Sequence, residues 1–144
     1  MKILILNGPN LNLLGTRDKN QYGALSLENI YQKIQDEFLD FEFTFFQSNI
    51  EGELINKIQN AGNNFNGIVI NPGGYGHTSV ALRDALAESA LPKVEVHLSH
   101  LVNRESFRQT LITASACDGY LSGFKEDGYL AAVYLIIRLL KKRA

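Results

Sequence analysis

Three segments of the sequence carry side chains suited to acid–base chemistry. The first, residues 7–23 (NGPNLNLLGTRDKNQYG), contains Asn10, Arg17 and Tyr22. A phenol is mostly neutral at pH 7, but a nearby guanidinium favours the phenolate form, which can act as a general base. Tyr22 is therefore a candidate base with Arg17 as its activating cation. The alternative is a surface tyrosine beside a hydrated arginine.

The second segment is VEVHLS at residues 94–99, in which Glu95 and His97 stand two positions apart. Alternate side chains of a strand leave the same face, so the carboxylate can orient the imidazole and help it hold a proton. This spacing makes His97 a candidate general acid. A purely structural hydrogen-bonded pair is the alternative.

The third segment is NPGGYGHTSVALRD at residues 71–84. Asn71 ends a predicted strand, the glycines let backbone approach a ligand, and His77 opens a helix whose amino end favours anions and a neutral imidazole. The same pattern also suits a tight strand-to-helix turn without a ligand. Asp84 lies further along this helix, where a surface charge is expected unless it faces a neighbouring subunit.

Strand-like and helix-like segments alternate along the chain and predict how these residues are positioned. Right-handed crossovers in this order predict an α/β fold with a doubly wound sheet of five parallel strands, ordered 2-1-3-4-5, and a ligand crevice at their carboxyl ends. The second strand alternates apolar and polar residues, so it is expected at an edge. Strands are predicted at residues 3–6, 41–45, 68–70, 93–97 and 119–122, and helices at 27–38, 54–61, about 79–91, 103–109 and 127–142.

Length, composition and charge limit the function classes. A chain of 144 residues with 45% apolar content suits one domain spanning residues 1–144. The formal net charge of −1 provides no field for a polyanion, so neither nucleic acid nor a membrane surface is an expected partner. The single Cys117 and the absence of a signal-like amino terminus favour a cytoplasmic protein. A small polar ligand fits best.

Two further patterns concern cofactors and assembly. His97 and His100 are the only close histidine pair and no cysteine joins them, so no metal or other cofactor is expected. The final helix, residues 127–142, is apolar on nearly every side. Such a helix is either buried within the subunit or forms a subunit interface on its far side, and we expect an oligomer.

Taken together, the motifs resemble the type II 3-dehydroquinate dehydratases. The resemblance runs from Ile3 to about Leu135, with the motifs in the order and spacing of that family. No single motif is specific, but their joint occurrence is. The stretches that carry it are NGPNLNLLG, the spacing of Arg17 and Tyr22 ending in YG, SNIEGELI, NPGGYGHTSVALRDAL, VEVHLS and NRESFR.

The resemblance implies a flavodoxin-like fold, trimers assembled into a dodecamer, and a hydro-lyase that converts 3-dehydroquinate to 3-dehydroshikimate. This is the third step of the shikimate pathway toward chorismate and the aromatic amino acids, or the matching step of quinate catabolism. The family removes water by anti elimination through an enolate, without a metal or an imine. The alternatives are a flavodoxin-like module that binds flavin or phosphate without this catalysis, and a non-catalytic scaffold.

Matching positions imply a role for each site residue. Tyr22 would be the proton acceptor, kept reactive by Arg17, and His97, supported by Glu95, would protonate the departing hydroxyl. Asn10 would help hold a water that stabilises the enolate oxygen, and residues from about 8 to 23 would close as a lid with Arg104 as an accessory contact. Substrate binding is implied for Asn71, His77, Leu98, Ser99, Arg108 and, from the next subunit of the trimer, Asp84.

The chain departs from the family pattern at five positions, none of them a proposed catalytic group. Gly76 stands where threonine is usual, Asp18 and Lys19 stand where Glu-Pro is common, Ile50 replaces a frequent histidine, and Asp118 lies in a normally apolar stretch. These departures are expected to affect lid mobility and affinity.

Overall fold

Five parallel strands form one sheet in a computed structural model that describes residues 1–144. Their order is β2-β1-β3-β4-β5, which confirms the predicted doubly wound topology. The carboxyl ends of β1, β3 and β4 therefore meet at one edge of the sheet, where the three polar segments begin. The strands are β1 (Lys2–Asn7), β2 (Glu42–Gln47), β3 (Gly67–Asn71), β4 (Lys93–His97) and β5 (Gly119–Ser122).

Helices cover both faces of the sheet, which explains why β1 and β3 are apolar on both sides. One face packs against α2 and α5, and the other packs against α3 and α4. The strand β2 lies at an edge, as its alternating pattern predicted, and is only partly buried. The α-helices are α1 (Lys19–Tyr22), α2 (Leu27–Glu37), α3 (Glu51–Gln59), α4 (Val80–Glu88) and α5 (Asp127–Arg143).

Side-chain caps fix where the crossover helices begin. The Ser26 hydroxyl accepts a hydrogen bond from the Asn29 amide at the start of α2, and the Ser79 hydroxyl accepts one from the Leu82 amide at the start of α4. Each bond satisfies an amide that has no partner within the helix. Ser79 is thus the cap of α4.

The predicted helix at residues 103–109 is wrong in type. The chain instead forms two short 3-10 turns, Leu101–Asn103 and Ser106–Gln109. Arg104 between them has an extended backbone, with φ −107° and ψ −171°, so the two turns cannot merge into one α-helix.

The last helix, α5, buries one side and exposes another. Ala132, Val133 and Ile136 are fully buried against the sheet, whereas Tyr134 and Leu135 remain exposed. None of the helices combines the length and the apolar character that a membrane crossing requires.

A buried hydroxyl on α5 links the ends of the two central strands. The Tyr129 hydroxyl donates to Asn7 Oδ1 at 2.5 Å and accepts from Asn71 Nδ2 at 3.0 Å. Asn7 in turn donates to the Tyr31 hydroxyl at 3.0 Å. Because Tyr129 is fully buried, water cannot replace its hydroxyl as the partner of these amides.

Removing this hydroxyl should destabilise the fold. We expect Tyr129→Phe to lower the free energy of unfolding by about 1–3 kcal/mol, because both asparagine side chains lose a partner in a dry environment. Urea denaturation at matched protein concentration measures the change. Tyr134→Phe, which removes a hydroxyl from an exposed ring of the same helix, should stay within about 0.5 kcal/mol of the parent. Equal losses in the two variants would contradict the assignment.

Candidate active site

Two close backbone approaches bring the loops after β1 and β3 together. A Cβ on Gly8 would lie 2.4 Å from the Pro72 carbonyl oxygen, and a Cβ on Gly73 would lie 2.9 Å from the Pro9 carbonyl oxygen. Gly73 also has φ +60°, which disfavours other residues. Only glycine fits at both contacts, so Gly8 and Gly73 are both needed to place Asn10 and Asn71 beside the same crevice.

The first half of the segment 8–23 is anchored in the core. Its second half contributes Arg17 and Tyr22 to the crevice wall. Leu11 and Leu14 are buried in the core beneath α2. Further along, the Asp18 carboxylate accepts a hydrogen bond from the Asn20 amide and caps α1, the short helix that ends with Tyr22. The departure at position 18 therefore supplies a helix cap within the predicted lid.

The Tyr22 ring lies between two guanidinium groups. The Arg17 guanidinium carbon is 3.8 Å from the ring centroid, and that of Arg104 is 5.1 Å away. Both distances fall within the range of cation–π contacts. Tyr22 and both arginines line the same crevice.

The other two tyrosines near the strand ends are in the opposite environment. Burial raises the pKa of Tyr31 to about 12, with its hydrogen bond from Asn7 opposing the shift. Burial also raises the pKa of Tyr129, which is fully enclosed. Both remain neutral phenols that hydrogen-bond asparagine, so Tyr22 is the phenol suited to act as a base.

Glu95 and His97 form a buried pair on β4. His97 Nε2 lies 2.6 Å from Glu95 Oε1, and both side chains are almost completely buried. Because a carboxylate only accepts, the proton on this bond belongs to Nε2. The other ring nitrogen, Nδ1, is thereby left to gain or release a proton on behalf of a ligand.

His77 faces His97 across the crevice, but its ring nitrogens have different hydrogen-bond partners. Its Nδ1 lies 2.8 Å from the Thr110 carbonyl oxygen, so Nδ1 carries a proton, while its buried Nε2 has no hydrogen-bond partner in the protein. Burial lowers the pKa of His77; repulsion from His97 and Arg108 adds to the effect, and the Thr110 carbonyl opposes it. In the resulting neutral ring, Nε2 is an acceptor for a ligand hydroxyl.

The far end of the crevice is basic. Arg104 Nη1 donates to the Ser99 hydroxyl at 3.0 Å, and the Arg108 guanidinium pairs with Glu105 at 2.6 Å. The Arg104 side chain is largely buried, and its Nε forms an ion pair with Glu105 Oε2 at 3.5 Å but no hydrogen bond. This end of the crevice is suited to a ligand carboxylate.

The structure brings together nine of the eleven predicted site residues in the wall of one pocket. Glu95 lies directly behind the wall, bonded to His97. Asp84 lies outside it, exposed on α4 and paired with Arg83 at 3.2 Å. The nine wall residues are Asn10, Arg17, Tyr22, Asn71, His77, His97, Leu98, Ser99 and Arg108.

Sequence reasoning missed Thr113, which is fully buried against Glu95 and donates to its Oε2 at 2.6 Å. No motif marks Thr113, because it begins a short 3-10 turn, Thr113–Ala116, 18 positions from its partner. The apolar wall residues Pro9, Leu11 and Leu101 were also not predicted.

Local contacts accommodate three of the departures from the family pattern. Gly76 is tightly enclosed, since a Cβ there would lie 2.9 Å from Pro72 Cγ and 3.3 Å from both His97 and Thr113. Ile50 is exposed at the start of α3, where the Ser48 hydroxyl accepts from its amide. The Asp118 carboxylate accepts from the Lys93 amide at 2.7 Å and from Arg143 at 3.1 Å.

Comparison with known proteins relates this geometry to a family. The family model described as class II dehydroquinase matches residues 1–137. The chain belongs to the class II dehydroquinase family. It contains no cluster of three or more His, Cys, Asp or Glu side chains arranged to hold a metal ion.

Relatives and solved structures of class II dehydroquinases match along the whole chain. A protein from Fusobacterium nucleatum named 3-dehydroquinate dehydratase is 46% identical, with 99% of this chain and all of the relative covered. One of the same name from Carboxydothermus hydrogenoformans is 51% identical, with 99% and 94% covered. The crystal structure of the type II dehydroquinase from Butyrivibrio crossotus superimposes with a TM-score of 0.92 at 45% identity, covering 95% of this chain and 97% of that one.

The buried neutral state of His77 predicts a pH dependence of stability. Because the folded-state pKa lies below the unfolded-state value, the unfolded chain binds a proton first as the pH falls, and the free energy of unfolding decreases below about pH 6.5. His77→Asn keeps an N–H for the Thr110 carbonyl but cannot be protonated. Between about pH 7.5 and about pH 5.5, we expect the urea midpoint of this variant to fall less than the urea midpoint of the parent.

The matched control is His100→Asn, which removes a histidine from the exposed surface. This variant should show the same loss of midpoint on acidification as the parent. A loss in His77→Asn as large as that of the parent would show that the His77 ring is not held neutral.

Proposed function

We propose that this chain removes water from 3-dehydroquinate to give 3-dehydroshikimate, with Tyr22 as the base and His97 as the acid. Family membership and the names of the relatives favour this reaction over binding of a flavin or a phosphate. The observation that carries the proposal is that a phenol flanked by guanidiniums and an imidazole paired with a buried carboxylate line one pocket.

The first step is proton removal from the carbon beside the ketone. The Tyr22 phenolate takes this proton, and the electron pair of the C–H bond moves to the ketone oxygen to form an enolate. Arg17 keeps Tyr22 in the form that acts as the base, and its guanidinium carbon lies 3.8 Å from the ring centroid. Asn10 lies at the start of the same loop and helps stabilise the enolate oxygen.

The second step is loss of the hydroxyl. The enolate re-forms the ketone, a carbon–carbon double bond forms, and the carbon–oxygen bond breaks. The departing oxygen takes a proton from His97 Nδ1 and leaves as water. Glu95 stabilises the imidazolium before this transfer and holds the Nε2 proton after it, so the tautomer is fixed throughout. Return of one proton from Tyr22 to His97 through solvent restores both groups.

The remaining wall residues hold the substrate. His77 Nε2 accepts from a ring hydroxyl, and Asn71 donates its second amide hydrogen, since its first is bonded to Tyr129. Arg108 binds a further hydroxyl, and the backbone amides of Leu98 and Ser99 hold the carboxylate at the basic end.

The proposal extends to the whole chain and its assembly. Residues 1–144 act as one catalytic domain, in which residues 8–23 form a lid that closes over the substrate and excludes water. The chain acts in the cytoplasm, in the shikimate pathway, as a dodecamer built from trimers. Asp84 supports this assembly because it is exposed and outside its own pocket, so its role requires a neighbouring subunit.

Replacing the base should abolish turnover without loss of the fold. We expect Tyr22→Phe to lower kcat about 10³-fold, because the ring is retained but no group remains to take the proton. The ultraviolet absorbance of the conjugated enone product measures the rate. Tyr120→Phe, at an exposed ring on β5, should retain parental activity. A Tyr22→Phe rate within a few fold of the parent would contradict the assignment.

The same assay tests the absence of a metal and of an imine from the reaction. We expect full activity after exhaustive chelation, because none of the proposed steps uses a metal. We also expect full activity with fresh substrate after the enzyme has been treated with borohydride and substrate and both have been removed, because none of the steps uses a lysine. Loss of activity under either treatment would overturn this mechanism while leaving the family unchanged.

The shared site can be tested by mixing two inactive variants. Tyr22→Phe lacks the base and Asp84→Ala lacks the neighbour's contribution. If Asp84 serves an adjacent subunit, co-refolded mixtures contain sites with Tyr22 from one chain and Asp84 from the other, and about a quarter of all sites become intact. If Asp84 acts within its own subunit, or not at all, mixing restores nothing beyond the sum of the separate preparations.

A further inference from the structure

The carboxylate of Glu95 is held from both sides. Its Oε1 lies 2.6 Å from His97 Nε2, and its Oε2 accepts a hydrogen bond from the Thr113 hydroxyl at 2.6 Å. Glu95 and Thr113 are both 0% exposed, so water does not reach either group. The Thr113 hydroxyl and the His97 ring are thus the two donors to a buried charge.

The backbone around Thr113 is tied to the crevice independently of its side chain. The Ile112 amide, one position earlier, donates to the Gly76 carbonyl at 2.9 Å. Gly76 packs closely on both groups, since a Cβ there would lie 3.3 Å from both Thr113 Oγ1 and His97 Cε1. Thr113 Oγ1 and the edge of the His97 ring therefore pack against the same small residue.

We propose that Thr113 is a positioning residue that acts through Glu95 on the His97 acid. Its hydroxyl fixes the rotation of the carboxylate, so that Oε1 stays in line with His97 Nε2. That bond in turn keeps the Nε2 proton in place and leaves Nδ1 for the departing hydroxyl. Thr113 is absent from the pocket wall, so it affects the imidazole without touching the substrate.

A threonine that only fills space and a threonine that positions Glu95 should respond differently to substitution. Valine has nearly the shape of threonine but no hydroxyl, whereas serine keeps the hydroxyl and loses a methyl group. If the hydroxyl positions Glu95, valine impairs the proton transfer and serine preserves it. If the side chain only fills space, the order is reversed.

The experiment is a kinetic double-mutant cycle on the intact oligomer. We expect Thr113→Val to lower kcat about 10- to 100-fold with KM changed less than about threefold, and Thr113→Ser to recover most of kcat. In a Glu95→Gln background, Thr113→Val should cause little further loss, because the path through which Thr113 acts is already broken. Thr44→Val, the same replacement on the edge strand β2, is the control and should retain parental kinetics.

Three results would overturn the inference: parental kcat in Thr113→Val, a serine variant as slow as the valine variant, or an undiminished effect of valine in the Glu95→Gln background. The inference rests on the proposed role of His97, which His97→Gln tests separately. An active His97→Gln enzyme would refute the proposed acid itself. An inactive His97→Gln beside a fully active Thr113→Val would refute only the role of Thr113.

Discussion

The relative positions of the site residues depend on the hydroxyl of Tyr129. It bonds Asn7 at the end of β1 and Asn71 at the end of β3, and it belongs to the helix that covers that face of the sheet. Both loops of the crevice start immediately after these asparagines. Because the network is buried, small shifts in strand register would leave amides without partners, so the network fixes the relative positions of the two loops.

Chemically identical side chains do different work because their surroundings differ. Tyr129 is enclosed by apolar atoms and remains a neutral hydrogen-bonding group, whereas Tyr22 lies beside two guanidiniums. Burial lowers the pKa of His77, so its ring stays neutral, whereas His97 has the carboxylate of Glu95 at 2.6 Å. The proposed division into base, acid and binding groups therefore rests on burial and neighbouring charge rather than on residue type.

Two departures from the family pattern, Asp18 and Asp118, form hydrogen bonds with neighbouring groups. Asp18, which departs from the family pattern within the predicted lid, caps the short helix α1. Asp118 would be costly in an apolar stretch, but it accepts from the Lys93 amide and pairs with Arg143 at the end of α5. Both changes are matched by local hydrogen bonds and lie outside the crevice wall.

The sequence by itself determined the order of strands and helices, because apolar runs and serine caps are local signals. It also determined the family and the segments that carry the site, since NPGG and the two-residue spacing of Glu95 and His97 have direct steric meaning. Only the tertiary structure decided which groups meet across the chain. Three contacts join positions far apart in the sequence: Arg104 with Tyr22, the Thr110 carbonyl with His77, and Thr113 with Glu95. One partner of each lies in a loop or a short 3-10 turn, where no periodicity exists to predict the contact. The lowered pKa of His77 and the hydrogen bonds around the proposed acid depend on such contacts, so the sequence alone could propose an acid and a base but could not show what surrounds them.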